Sequence, residues 1–258
     1  MAILSIVVAF FTFYAIYTIL ALSMNLEYGF GGLPNFGKVF FYSAGAYTAA
    51  VFSGRLLTAI TDRSAPYCSA TAAVAREQYA ASEPLMMALI FLATIAVALV
   101  VGGVLGYVLS WPALRIRDVY LGLLLLVVAE IGRVFVRATP GIICGPHGVA
   151  GMPNPLLWIP NPDVRYAAYA LLCLVIAALC YLLVSRIVNS PYGRLLKMVR
   201  DDEDAAQALG KRTARIKMQA MVIGSALAAV AGVLYAFYSQ FVGTEDFAPF
   251  ITFLVLVM

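Results

Sequence analysis

Residues 84–111 read PLMMALIFLATIAVALVVGGVLGYVLSW, 28 residues without an Asp, Glu, Lys or Arg. A hydrocarbon core of about 30 Å takes about 20 apolar residues of helix, so this stretch alone is long enough to cross a bilayer. Outward from it, further apolar runs lie at 3–24, 38–53, 119–136, 165–185 and 218–241. A last run begins at Phe250 and reaches Met258, too short to cross. Composition points the same way: 63% of residues are apolar, 12% are charged and the mean hydropathy is +0.93. Ordinary soluble domains carry about a quarter charged residues. The expected fold is all-α, a polytopic transmembrane helical bundle of about six to seven spans with the last one truncated, forming one membrane domain over 1–258. The first run lacks a basic leader and is longer than a signal-peptide core, so it is expected to remain as a span.

Between the last two complete runs lies a polar loop, 186–217, with eight of the chain's seventeen Lys and Arg residues. Placing it in the cytoplasm and alternating outward puts Lys38, Arg115 and Arg117 inside as well. That makes eleven basic residues inside against five outside (Arg55, Arg63, Arg76, Arg137 and Arg165), with Arg133 in a span. The bias supports this orientation and an external N-terminus. The loop also has internal design. Ser190-Pro191 pairs a capping residue with proline at the first helical position, which starts a helix through Arg200. Asp201 or Asp202 can cap a second helix, with Glu203 and Asp204 in its first turn and Gly210 as a left-handed stop. Ala205, Ala206, Ala208 and Leu209 then offer a low-relief apolar surface. So short a helix is marginal alone, so it needs something to pack against.

The stretch 32–38, GLPNFGK, spells a phosphate-loop pattern, but Val39 stands where Ser or Thr must hold magnesium, and the stretch follows a span rather than a buried strand. Two readings of 27–37, rich in glycine, stay open: a broken helix lining a substrate path, or an ordinary cytoplasmic turn. Asn25, Tyr28, Gly32, Asn35, Gly37 and Tyr42 are the path candidates, with Lys38 expected at the cytoplasmic mouth in reach of water. Glu130 and Arg133, three apart in one span, are secondary candidates, because charges in a membrane are costly. Their bland reading is a mutual ion pair near the outer end. Gly102 with Gly106, and Gly224, Ala228 and Gly232, allow close helix approach. Cys68 and Cys144 fall in expected outer loops where they can pair, Cys173 and Cys180 read as apolar filler, and His147 has no second histidine with which to hold a metal. No catalytic constellation, cofactor site or metal site is visible. Residues 139–162, with six prolines and four glycines, are expected to be a stiff outer surface.

These motifs resemble a known family. Asn25-Leu26-Glu27-Tyr28-Gly29, Gly32 through Lys38 and Gly45-Ala46-Tyr47 look like the early glycine-rich motif of branched-chain amino acid ABC transporter permeases of the LivM-like branch. Ser190 through Arg194, Arg200 through Glu203 and Ala205 through Gly210 resemble that family's cytoplasmic coupling loop, and residues 148–153 resemble its outer-loop signature. The sequence departs at Gln207, at Lys211-Arg212 and at Lys38, where many members carry Glu, a more apolar pair and His. The resemblance implies a permease subunit of an ATP-driven importer, which contacts and is driven by its ATPases through the 201–210 helix and performs no covalent chemistry itself. Its implied partners are a second, LivH-like permease, two cytoplasmic ABC ATPases, an extracytoplasmic solute-binding protein and membrane lipid, in a prokaryotic plasma membrane, with no nucleic acid. It also implies further spans beyond Met258. Urea or short amides are the alternative cargo; a carrier or channel that does not use ATP is the alternative machine.

Overall fold

A computed structural model describes residues 2–61, 67–113, 116, 118–145 and 148–257. Arg63, Arg115, Arg117 and His147 lie outside the described residues. The apolar runs become helices. Among the described residues, α1 (Ala2–Met24), α5 (Pro84–Ala113), α8 (Pro162–Asn189) and α11 (Thr213–Ser239) belong to four helices long and apolar enough to cross a membrane. α1 runs on through a π-helical segment, Asn25–Phe30. α2 (Lys38–Thr48) continues through a π turn, Ala49–Ser53, into α3 (Gly54–Thr61), so this pass runs past its expected end at 53. α6 (Asp118–Ala138) carries Glu130, Arg133 and Arg137, and a single helical turn, α7 (Pro140–Ile143), follows it.

Contacts between loops define two ends. At one, a Cys68–Cys144 disulfide joins the loops after α3 and α6, its Cα atoms 5.9 Å apart. There β1 (Val149–Ala150) pairs antiparallel with β2 (Phe241–Val242), which follows α11. At the other, α9 (Pro191–Asp201) and α10 (Glu203–Ala208) sit between α8 and α11, and the Arg200 guanidinium donates to the Gly29 carbonyl at 2.7 Å.

The core is organised around α11. Its apolar window is 78% buried, against 28–33% for the other three crossing helices, so it is walled by protein while they keep outward faces. α2 lies against it, between α5 and α6. Gly45 of α2 meets the Ala229 backbone, and Gly232 meets the Tyr42 backbone; a side chain at either place would overlap the neighbouring main chain. Where lipid-like surroundings give little hydrophobic drive, such close approach supplies the dispersion that holds helices together. Gly102 and Gly106 of α5 use their spacing likewise, against 225–229 of α11.

Two elements depart from the expected loops. Within 55–83 stands α4 (Ala70–Ser82), capped by Ser69, whose hydroxyl accepts from the Ala72 amide at 3.2 Å. Its Arg76 is 1% exposed and donates to the carbonyls of Gly151 (3.1 Å) and Ala150 (2.9 Å) and to the Thr58 hydroxyl (3.3 Å). A buried guanidinium is tolerable only when its donors are satisfied, so α4 is pinned on the 148–153 loop. After β2 the chain turns back inward: Phe247 is 2% exposed among Tyr42, Tyr47 and Tyr235, and the Val39 amide donates to the Thr252 hydroxyl of α12 (Phe250–Val257) at 3.1 Å. One face of α12, with Thr252 and Val255 buried, therefore packs on the bundle against α1 and α2.

Candidate functional site

The α9–α10 unit is built from its caps. Ser190 accepts from the Gly193 amide (3.4 Å) and Pro191 opens α9. Asp202, not Asp201, caps α10, accepting from the Ala205 amide at 2.9 Å, because Asp201 ends α9 and pairs with Arg200 at 2.8 Å. Gly210 adopts φ +74, the Lys211 amide reaches the Ala206 carbonyl (3.1 Å) and the Gly210 amide reaches the Gln207 carbonyl (2.8 Å). Together these form the Schellman stop that glycine allows. α10 is tied to α11 by Glu203–Lys217 at 2.6 Å and by the Gln207 amide donating to Thr213 at 3.1 Å. Partial burial alone would raise the Glu203 carboxyl, but its bonds to Lys217 and Thr213 outweigh that and hold it below the usual carboxylate value. Ala206 corrects the expected surface: it is fully buried, because it faces the bundle as the helix's anchor. The outward face consists of Asp204, Ala205, Ala208 and Leu209, the last 69% exposed.

The six path candidates do not converge. Asn25 and Tyr28 are exposed on the wall of a cavity of about 800 Å³, with Phe13, Tyr17 and Leu256 across α1 and α12. Tyr42 is buried in the aromatic cluster around Phe247, with ring centroids 5.3 Å apart. Gly37 lies on the Leu125 backbone of α6 and Gly32, at φ +67, on the Arg200 side chain. Asn35 is buried, its amide donating to Glu27 at 2.8 Å while its oxygen accepts from the Gly37 amide at 3.1 Å.

Lys38 is not at a watery mouth. It is 1% exposed and pairs at 2.7 Å with Glu27, itself fully buried. The carboxylate fits because Gly224 of α11 has no side chain where it lies. Gly224 is eleven residues into α11, about 16 Å along it, so the pair sits well inside the bundle. An ammonium so placed has no water to reach, and the carboxylate takes water's place. Glu27 lies in the stretch for which a broken helix and an ordinary turn both stay open, and nothing beside it in the chain points to its partner, which stands eleven residues on. Glu130 and Arg133 pair at 2.6 Å, and Glu245 joins them, at 3.3 Å from Arg133 and 3.0 Å from Arg137. This network is partly exposed at the disulfide end, as the mutual-pair reading expects.

The family model described as branched-chain amino acid transport system / permease component matches residues 6–258. The chain is 32% identical over 228 residues to the probable branched-chain amino acid transport permease protein LivM of Methanocaldococcus jannaschii, covering 88% of this chain and 66% of that one. It is 28% identical over 254 residues to the high-affinity branched-chain amino acid transport system permease protein LivM of Salmonella typhimurium, and equally to that of Escherichia coli, covering 90% of this chain and 52% of each relative. The chain thus spans between about half and two thirds of the length of these relatives. No solved structure matches it.

Proposed function

The chain belongs to the permease-component family of branched-chain amino acid transport systems, and on that premise we propose that it is the membrane-spanning subunit of an ATP-driven branched-chain amino acid importer. Its partners in this reading are a second, LivH-like permease, two cytoplasmic ABC ATPases and an extracytoplasmic solute-binding protein. The ATPases supply the hydrolysis, and this chain supplies half of the path and a lever. The observation that carries the reading is the α9–α10 unit. A six-residue helix, capped at both ends and fixed by an ion pair to the most buried helix, keeps Ala205, Ala208 and Leu209 facing outward. A loop that only reversed the chain would need none of this.

The α9–α10 end is the cytoplasmic one, and the disulfide end is external with the N-terminus. The basic residues of 186–217 favour the first assignment, and a disulfide favours the second, since disulfides persist in oxidising compartments. We place the solute path along Asn25 and Tyr28. Their cavity is open on one side, so the second permease provides the facing wall. Asn35 acts on Glu27 instead of on the solute.

The decisive experiment reconstitutes the full-length chain with its partners in proteoliposomes and follows leucine entry. Uptake is expected to require both ATP and the solute-binding protein. Leu209→Asp is expected to reduce co-purification of the ATPases without lowering the amount of permease inserted. Leucine entry that ignores ATP would point instead to a stand-alone carrier.

A further inference from the structure

We infer that the Glu27–Lys38 ion pair, gripped by Asn35, is the positioning element through which movement of α9–α10 reaches α2. The inference rests on the reading of 201–210 as the ATPase contact. It begins from cost. Two charges removed from water lose more solvation than they regain from each other unless the geometry is good, and apolar residues of similar volume often serve stability better. Within a membrane bundle, such groups default to functional roles. Both members here are essentially unexposed, 2.7 Å apart, with Asn35 donating to the second carboxylate oxygen at 2.8 Å. What the pair supplies is register: Lys38 is the first residue of α2, so its ammonium fixes where that helix starts.

Two separate routes lead from α9–α10 to Glu27, one through hydrogen bonds to its backbone and one along α11 to the glycine on which its carboxylate lies. In the first, Arg200 near the end of α9 donates to the Gly29 carbonyl, and its side chain lies on Gly32. The Gly32 amide donates to Tyr28 at 3.0 Å and the Leu33 amide to the Glu27 carbonyl at 2.9 Å, so 27–33 move as one hydrogen-bonded unit. In the second, Glu203 of α10 holds Lys217 of α11. Gly224, seven residues on and so on the same helical face, is the notch that receives Glu27. The carboxylate also lies on a π-helical segment, a backbone form that gathers at functional positions. At the far side of the pair, α2 carries Tyr42 and Tyr47 into the aromatic cluster around Phe247. A shift of α9–α10 against the bundle therefore acts on Glu27 from two directions, and Lys38 passes it to the helix that builds the interior.

Spatial continuity alone does not establish coupling, so the test measures coupling itself. In proteoliposomes holding the complete transporter, leucine uptake and ATP hydrolysis are measured separately for Glu27→Gln, Arg200→Met, their combination, and the neutral pair Glu27→Gln/Lys38→Met. We expect hydrolysis to stay responsive to the solute-binding protein. Uptake per ATP should fall about tenfold, within the roughly 5- to 150-fold span of coupling interactions. Because they lie on one route, Arg200→Met with Glu27→Gln should be no worse than the stronger single change. Arg200 is half exposed on the surface, so its variant inserts even where a lone buried charge disturbs folding. A purely structural pair predicts that the neutral double variant regains wild-type uptake per ATP; that result, or an unaltered ratio in Arg200→Met, overturns the inference. Wild-type uptake that ignores ATP would overturn the importer reading beneath it.

Discussion

Gly210 separates conformation from space. No atom would meet a Cβ there, yet φ is +74, a region where a β-branched residue is strained by about 1–3 kcal/mol. Gly210→Val is therefore expected to loosen the end of α10 and cut leucine uptake severalfold at unchanged membrane level, while Gly210→Asn, which tolerates the left-handed region, keeps most of it. Equal uptake by the two variants would mean that the stop does not matter. Glu203 makes a pH prediction. Its carboxyl titrates below its ordinary value, so its contribution to anchoring α10 is complete above about pH 4.3 and is lost as pH falls through the lower folded value. Hydrogen-exchange protection across 203–211, corrected for the intrinsic pH dependence of amide exchange, should thus be flat from neutrality to about pH 5. Glu203→Gln should lower that protection at neutral pH.

Among the elements, the α2–α11 crossing is the least forgiving. Gly232 faces the Tyr42 backbone, which cannot rotate away as a side chain could, so Gly232→Val must separate the helices. Overpacking costs typically about 1–3 kcal/mol, and thermal unfolding in detergent should show a loss at or above that range. The same substitution at Gly103, which has only a distant methyl of Val222 as neighbour, should be nearly silent. The α6 network offers a different contrast. If the path runs by Asn25 and Tyr28, Ala substitutions there change leucine uptake and selectivity at matched membrane levels, whereas Glu130→Gln chiefly lowers thermal stability by up to about 1 kcal/mol, the range for partly exposed ion pairs. Uptake abolished by the α6 change and untouched by the α1 changes would move the path to α6.

At the scale of the whole molecule, the disulfide and the α9–α10 unit mark opposite ends, so they report orientation together. Asp204→Cys should resist an impermeant maleimide in intact cells and react once the membrane is opened. Cys68 and Cys144 should react from outside only after reduction, because they are bonded to each other. Labelling of Asp204→Cys in intact cells would invert the assignment. Since the bond closes a 76-residue separation, its loss is expected to cost about 2–4 kcal/mol.

Composition and apolar run length were enough to fix the all-α membrane bundle, because a bilayer leaves a long uncharged segment almost no alternative to helix. Caps were legible too: Ser190, the Asp201–Asp202 choice and Gly210 act through backbone groups three to five residues away, and such local chemistry is written in order along the chain. Contacts between distant segments were not. Lys38 read as a charge seeking water, and only the fold shows Glu27 held beside it in the notch left by Gly224. α4 was hidden because its apolar surface is small and its anchor is an arginine whose acceptors lie about 75 residues away. Lys38 and Arg76 both find their partners on another segment of the chain, which their own neighbours in the sequence do not show. A side chain's cost in a membrane depends on what neutralises it, and that is decided by packing.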